Sequence, residues 1–117
     1  MAKVTGIVRI KVNGRLLRSK EGAELQTGGK ERTAQVGHSV YGYSEKVVAS
    51  QITCTLAHTA DTSIAFLNNI VDATVLFECD SGVTYRVDNA FTTKPVSIKG
   101  DGGDLSLEMQ GEPAEEQ

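Results

Sequence analysis

Only one stretch of this chain has the spacing of a helix; the segments around it are spaced as strands or turns. In residues 61–71 the apolar side chains Ile64, Leu67 and Val71 recur at i, i+3 and i+7, with Phe66 and Ile70 widening the stripe. Asp61, Thr62 or Ser63 can cap the N-terminus by accepting from an orphan backbone N–H. Asn68 and Asn69 fall on the polar side. Such a segment makes only about 16 Å of helix at roughly 1.5 Å per residue, too short to persist alone in water. It must lie on something apolar, and the rest of the chain offers strands. The expected fold is therefore mainly β: an antiparallel sandwich or barrel with one short flanking helix at 61–71.

The strand signals come in order along the chain. Val8, Ile10 and Val12 alternate onto one face and run into Asn13-Gly14, a strong signal for a tight hairpin turn, with 15–19 as the return strand. A short piece follows Gly22 at 23–27. Ser44 to His58 reads as the longest strand, with Val48, Ser50, Ile52, Cys54 and Leu56 facing the core. The opposite face of Gln51, Thr53 and Thr55 is small and weakly polar, suited to water or a neighbouring chain. After the helix, 74–79 and 83–87 form a hairpin around Asp80-Ser81-Gly82, the chain continues to Pro95, and 96–99 and 105–109 form a last hairpin around 100–103.

Residues 28–43 break this pattern. Four glycines, several charges and scattered apolar residues do not describe a core element, and an excursion of this length in so small a domain is often functional. The segment reads as an extended, flexible loop or open hairpin that orders on meeting a partner. The domain expected is thus 1–111, with 28–43 as that loop and 112–117 as an acidic disordered tail.

Composition mostly excludes. The chain of 117 residues has one core's worth of apolar material, no Trp, and only three Phe and three Tyr. So modest a core suits a subunit stabilised by association. No apolar run approaches membrane-spanning length, and Met1-Ala2-Lys3 does not lead into a signal-peptide core, so folding in a cytoplasm is expected. Cys54 and Cys79 lie in strand patterns without metal or redox spacing and read as buried reduced thiols. His38 and His58 have no zinc-spaced partners, no nucleophile stands on a sharp turn, and 100–103 lacks the Lys-Ser/Thr and helix of a phosphate loop. Asp101 and Asp104 are explained by a hairpin turn more readily than by calcium. No catalytic residue, cofactor or metal is expected, and the chain reads as a structural or binding module rather than an enzyme. Its charge is uneven: residues 1–50 carry nine Lys/Arg against four Glu, +5, and residues 51–117 carry three against eleven Asp/Glu, −8. Opposite-sign surfaces can therefore meet between copies.

The order of these parts resembles the tail tube proteins of contractile-tailed bacteriophages, the Mu-like group in particular, from about Gly6 to Gly111. The stretches that carry the resemblance are the hairpin with Asn13-Gly14, the run from Val40 to Lys46, the strand Ile52-Thr53-Cys54-Thr55-Leu56, the helix with Phe66-Leu67, and Ser97-Ile98-Lys99-Gly100. The resemblance implies six copies joining their sheets into a ring, and rings stacking into a hollow tube within the tail sheath protein. The tube would surround a tape-measure protein and later pass DNA without sequence-specific binding, in a virion assembled in the bacterial cytoplasm. Tubes of secretion systems and phage-tail-like bacteriocins share that fold and stay open as alternatives. A monomeric oligonucleotide-binding barrel is another, with Tyr41 and Tyr43 near Arg32 as its stacking groups. For the tube, Lys30, Glu31, Arg32, Tyr41 and Tyr43 are the inter-ring contact candidates. Gln51, Thr53 and Thr55 are the lumen-lining candidates, because a lumen that passes DNA should avoid positive patches that hold phosphate.

Overall fold

A computed structural model describes residues 3–17, 19–20, 22–58, 63–100 and 103–117. Its strands are β1 (Val8–Val12), β2 (Arg15–Leu17), β3 (Glu24–Gln26), β4 (Gly29–Val36), β5 (Val40–Val48), β6 (Ser50–Ala57), β7 (Ala73–Cys79), β8 (Thr84–Thr92), β9 (Ser97–Lys99), β10 (Asp104–Gly111) and β11 (Glu115–Glu116), with one helix, α1 (Ile64–Asn68), between β6 and β7. Apart from β4 and β5, the strands join in one antiparallel sheet of order β2-β1-β7-β8-β10-β6-β3, with β9 on β10 and β11 on β8.

The sheet rolls up because two places bend it. In β8, two residues oppose one between the Ala73–Ala90 and Val75–Val87 pairs, and Asn89 in that bulge has φ +52°. A bulge kinks its strand and increases its twist. The first half of β8 accordingly pairs with β7 and β11, while Phe91 and Thr92 pair with β10. At the other side, Ser19 bridges Leu56 and the Lys20 amide donates to the Thr55 carbonyl (2.7 Å), so the chain leaving β2 lands on β6 and closes the sheet on itself. Inside are alternating residues of the strands: Ile10, Val12, Val75, Phe77 and Val87 from one wall, Ile52, Cys54, Leu56, Leu105, Leu107 and Met109 from the other. The Asn13-Gly14 turn has φ of +50° and +83°, the two positive angles of a type I′ hairpin. Asn13 also fixes the hairpin to β7, its amide donating to the Thr74 carbonyl and its Oδ1 accepting from the Thr74 amide, both at 2.9 Å.

The helix docks as a plug on one opening. Ser63 is the N-cap, its Oγ accepting from the Phe66 amide at 3.2 Å; the other two candidate caps, Asp61 and Thr62, lie outside the described residues. Leu67 and Ile70 enter the core, and Ile64 and Phe66 pack at its margin. The Phe66 ring also carries the Arg15 guanidinium 4.4 Å from its centroid. Thr92 secures the C-terminal end, its hydroxyl donating to the Leu67 carbonyl (2.6 Å) and its amide to the Ile70 carbonyl (3.0 Å). One expectation needs correcting. The helix stops at Asn68, where Asn69 caps it by donating to the carbonyls of Ala65 and Phe66, so Val71 lies beyond the helix and is 68% exposed. Asn68, though exposed, is not idle: its Oδ1 accepts from the Val96 amide at 2.9 Å, pinning the segment before β9. Asn68→Ala is therefore expected to cost about 0.5–1.5 kcal/mol, the net worth of one such bond, read as a small drop in the urea midpoint.

The acidic C-terminal segment also differs from expectation. Residues 112–117 do not trail away; β11 runs along β8, with Glu115 opposite Arg86 and Glu116 opposite Tyr85. Arg86 holds it, its guanidinium pairing with Glu115 (2.5 Å) and Asp88 (3.3 Å). Just before it, the Ala114 amide donates to the Thr27 carbonyl and the buried Ser50 hydroxyl donates to the Glu112 carbonyl. At the far end of the barrel, Asp80 straps down residues 3–7. Its Oδ1 accepts from the Gly6 amide (2.9 Å), its amide donates to the Ile7 carbonyl (2.9 Å), and Lys3 lies 3.8 Å from Oδ2. Backbone N–H groups aimed at the carboxylate, Gly6 first and then Ile7, hold the Asp80 carboxyl below its ordinary 3.8. A depressed carboxylate contributes fully above the unfolded value and loses that contribution as pH falls through its folded one. The strap is thus expected to hold through pH 3.8 and release only in stronger acid, seen as the Gly6 amide shift titrating below that pH; titration above it would contradict the hydrogen bond.

Candidate assembly surfaces

Residues 28–43 and the start of the long Ser44–His58 strand form one structure. Rather than one strand, 44–58 divides at Ala49: β6 stays in the barrel, while β5 pairs with β4 in a separate two-stranded arm. The ladder runs from Gly29–Val48 to Gln35–Gly42 and, past a bulge, to Val36–Val40. Every residue of the arm except Gly29 and Val48 at its base is exposed. The radius of gyration is 16.9 Å, with extents of 61 × 39 × 27 Å, against about 13 Å for a compact domain of this length; the arm projects. Gly28 is the hinge. Its φ is +69°, and a Cβ there would stand 2.6 Å from the Val48 carbonyl oxygen. Gly28→Ala is expected to cost about 1–3 kcal/mol in backbone strain and contact, a loss visible in thermal melts.

Cross-strand pairing assigns the arm's two faces, because residues opposite each other point the same way. One face carries Lys30 with Val47, Arg32 with Glu45, and Ala34 with Tyr43. Glu45 sits between the two cations, 3.5 Å from Lys30 and 3.2 Å from Arg32, and the Arg32 guanidinium lies 5.7 Å from the centre of the Tyr43 ring. The other face is polar: Glu31 opposite Lys46, Thr33 opposite Ser44, and Gln35 donating to Ser44 (3.0 Å). Of the five contact candidates, Lys30, Arg32 and Tyr43 share a face and Glu31 lies on its reverse. Tyr41 is at the tip, its hydroxyl accepting from the His38 amide (3.1 Å). Val36, Val40 and Val47, 67–72% exposed, were not among the contact candidates and add apolar area to the first face. Their signal was present as spacing, but pairing was needed to read it.

The second surface is the outer face of β6 and its neighbours. Gln51, Thr53 and Thr55 point away from the buried Ser50, Ile52, Cys54 and Leu56. The register extends them into rows: Gln26, Gln51 and Gln110; Glu24, Thr53 and Glu108; Thr55, Ser106 and Ser97. Amides, hydroxyls and two carboxylates occupy these rows, without a cation. At the edges, Lys20 is paired with Asp104, and Lys94 lies 3.9 Å from Glu108.

Among the described residues no three His, Cys, Asp or Glu side chains gather as for a metal, and no helix is long and apolar enough to cross a membrane. Burial pushes the Cys54 thiol up to about 12, so it stays protonated and inert, while Cys79 is only half-buried.

The fold is similar to that of solved chains from contractile injection machines. The tube-terminating cap of the anti-feeding prophage superposes with a TM-score of 0.69 at 11% identity, covering 94% of this chain and 87% of that one. A chain of the sheath–tube complex of the extracellular contractile injection system PVC, in its extended state, gives 0.68 at 13%, with the same coverage. Sequence narrows the class. The Mu-like prophage FluMu tail tube protein of Haemophilus influenzae is 38% identical over 97 residues, 83% of this chain and 82% of its own length. The tail tube protein of Escherichia phage Mu is 32% identical over 102 residues, 87% and 85%. The family model of the phage tail tube protein matches residues 1–116, and the chain belongs to that family of structural, non-enzymatic subunits.

Proposed function

We propose that this chain is the repeating subunit of a contractile phage tail tube. Six copies close side by side through their sheet edges and the surroundings of α1, and the rings stack into a hollow tube. The projecting arm carries this reading: a long hairpin with an exposed apolar face has no use in an isolated barrel and an evident one between copies. The arm moves freely on the single subunit and orders against the adjacent ring, with Lys30, Arg32 and Tyr43 contacting from one face and Glu31 and Tyr41 from the reverse and the tip.

The outer face of Gln51, Thr53 and Thr55 lines the lumen. Glu24 and Glu108 within it repel phosphate, so DNA passes without being held. The same carboxylates argue against the oligonucleotide-binding alternative. A tape-measure protein fills the tube during assembly in the host cytoplasm, the tail sheath protein surrounds it, and the finished tube is part of the virion. The 38% and 32% identities to phage proteins favour a phage tail over a secretion or bacteriocin tube. Sedimentation velocity over a wide concentration range, with negative-stain microscopy, tests the reading. Rings or rods that grow with concentration are expected; a small monomer at every concentration would overturn it.

A further inference from the structure

A shallow groove of about 720 Å³ opens at the arm's base. Val47, Ala49, Phe91 and Pro113 supply its apolar walls, and Asp72 and Glu112 line it beside them. Val47 and Phe91 are 72% and 43% exposed. Among the described residues neither Asp72 nor Glu112 has an ion-pair partner. The arm's own tip cannot fill the groove, since β4 at about 3.3 Å per residue carries Val36 roughly 23 Å from the base.

We propose that the groove is the seat for the arm of a second copy, laid with its apolar face inward. The inference rests on reading the arm as an assembly element and names the surface that receives it. Two features of the chain match arm to groove. Val36, Val40 and Tyr43 offer exposed apolar area of the kind the groove's walls lack a partner for. Lys30 and Arg32 share a single carboxylate, Glu45, which leaves one positive charge in excess on that face, and Asp72 with Glu112 supplies the opposite sign. Arm face and groove are different surfaces of one chain, so the contact is heterologous and repeats from copy to copy. Val47 belongs to both, and a seated arm therefore extends one apolar strip into the next.

Cross-linking tests this on the full chain. Val40→Cys and Phe91→Cys subunits are prepared separately, mixed, assembled and oxidised, with Ile7→Cys, at the opposite end of the barrel, in place of Phe91→Cys as the control. A disulfide-linked dimer of the Val40→Cys and Phe91→Cys chains is expected, and it should be lost when Asp72→Lys and Glu112→Lys are added to the groove chain. If Phe91→Cys does not fold, Ala49→Cys on the same groove is read identically. Assemblies that form normally but link Val40→Cys to Ile7→Cys, or link it to neither, would overturn the groove while leaving the tube reading intact. Failure of the unsubstituted protein to assemble at all would overturn both.

Discussion

Replacing residues 30–47 with a short Gly-Ser linker is expected to leave a folded barrel that no longer builds long tubes. The ladder from Gly29–Val48 outward is a separate two-stranded sheet, and none of its residues belongs to the core cluster. Its removal therefore takes no buried side chain from the barrel, and the melting temperature should stay close to that of the parent. Assembly should change qualitatively. The arm face gathers Val36, Val40, Tyr43 and Val47, all exposed, with the Arg32 guanidinium over Tyr43. Aromatic and cationic groups of this kind dominate many protein interfaces. Rings are still allowed, because the barrel's own edges remain. Long tubes from the deletion variant, seen by electron microscopy, would show that the contact between rings lies elsewhere.

Leu67→Ala is expected to lower stability by about 2–5 kcal/mol, the range for truncating a buried leucine. Leu67 is 2% exposed and is the one buried residue within α1. Its side chain fastens a helix too short to form by itself, so the loss includes docking as well as transfer from water. Against a total of roughly 5–15 kcal/mol for a domain, this threatens folding of the single subunit. Chemical denaturation of Leu67→Ala beside Asn68→Ala checks the orientation: the first should fall well below the second, and equal losses would contradict it.

Where burial is periodic, the fold could be read from the sequence. Ile10 and Val12 in β1, Ile52, Cys54 and Leu56 in β6, and Leu105, Leu107 and Met109 in β10 alternate inward as their spacing demands, and Asn13-Gly14 announces its own turn. What the sequence hid has three physical causes. The period-2 pattern of Val48, Ser50 and Ile52 passes through Ala49 unbroken, so nothing local marks where β5 leaves the barrel. In β4 and β5 both faces are wet in the single subunit, so the spacing of Val36, Val40 and Val47 points to no core and becomes readable only once the strands are paired. β11 is two glutamates whose strand depends on Arg86, distant in sequence. Val71 fits the helical spacing but follows Asn69, which ends the helix first. The candidate site was legible in part: the polar face of Gln51, Thr53 and Thr55 was read correctly as outward, while the division of the contact residues between the arm's faces required the register.

The most direct test is a helical reconstruction by electron cryo-microscopy of the filaments formed by the purified full-length protein. The predicted result is a hollow tube in which Gln51, Thr53, Thr55 and Gln110 face the lumen and each arm leaves its own ring to contact the next. A tube with that polar face turned outward and the arms exposed to solvent would contradict the account, as would protein that remains monomeric at every concentration imaged.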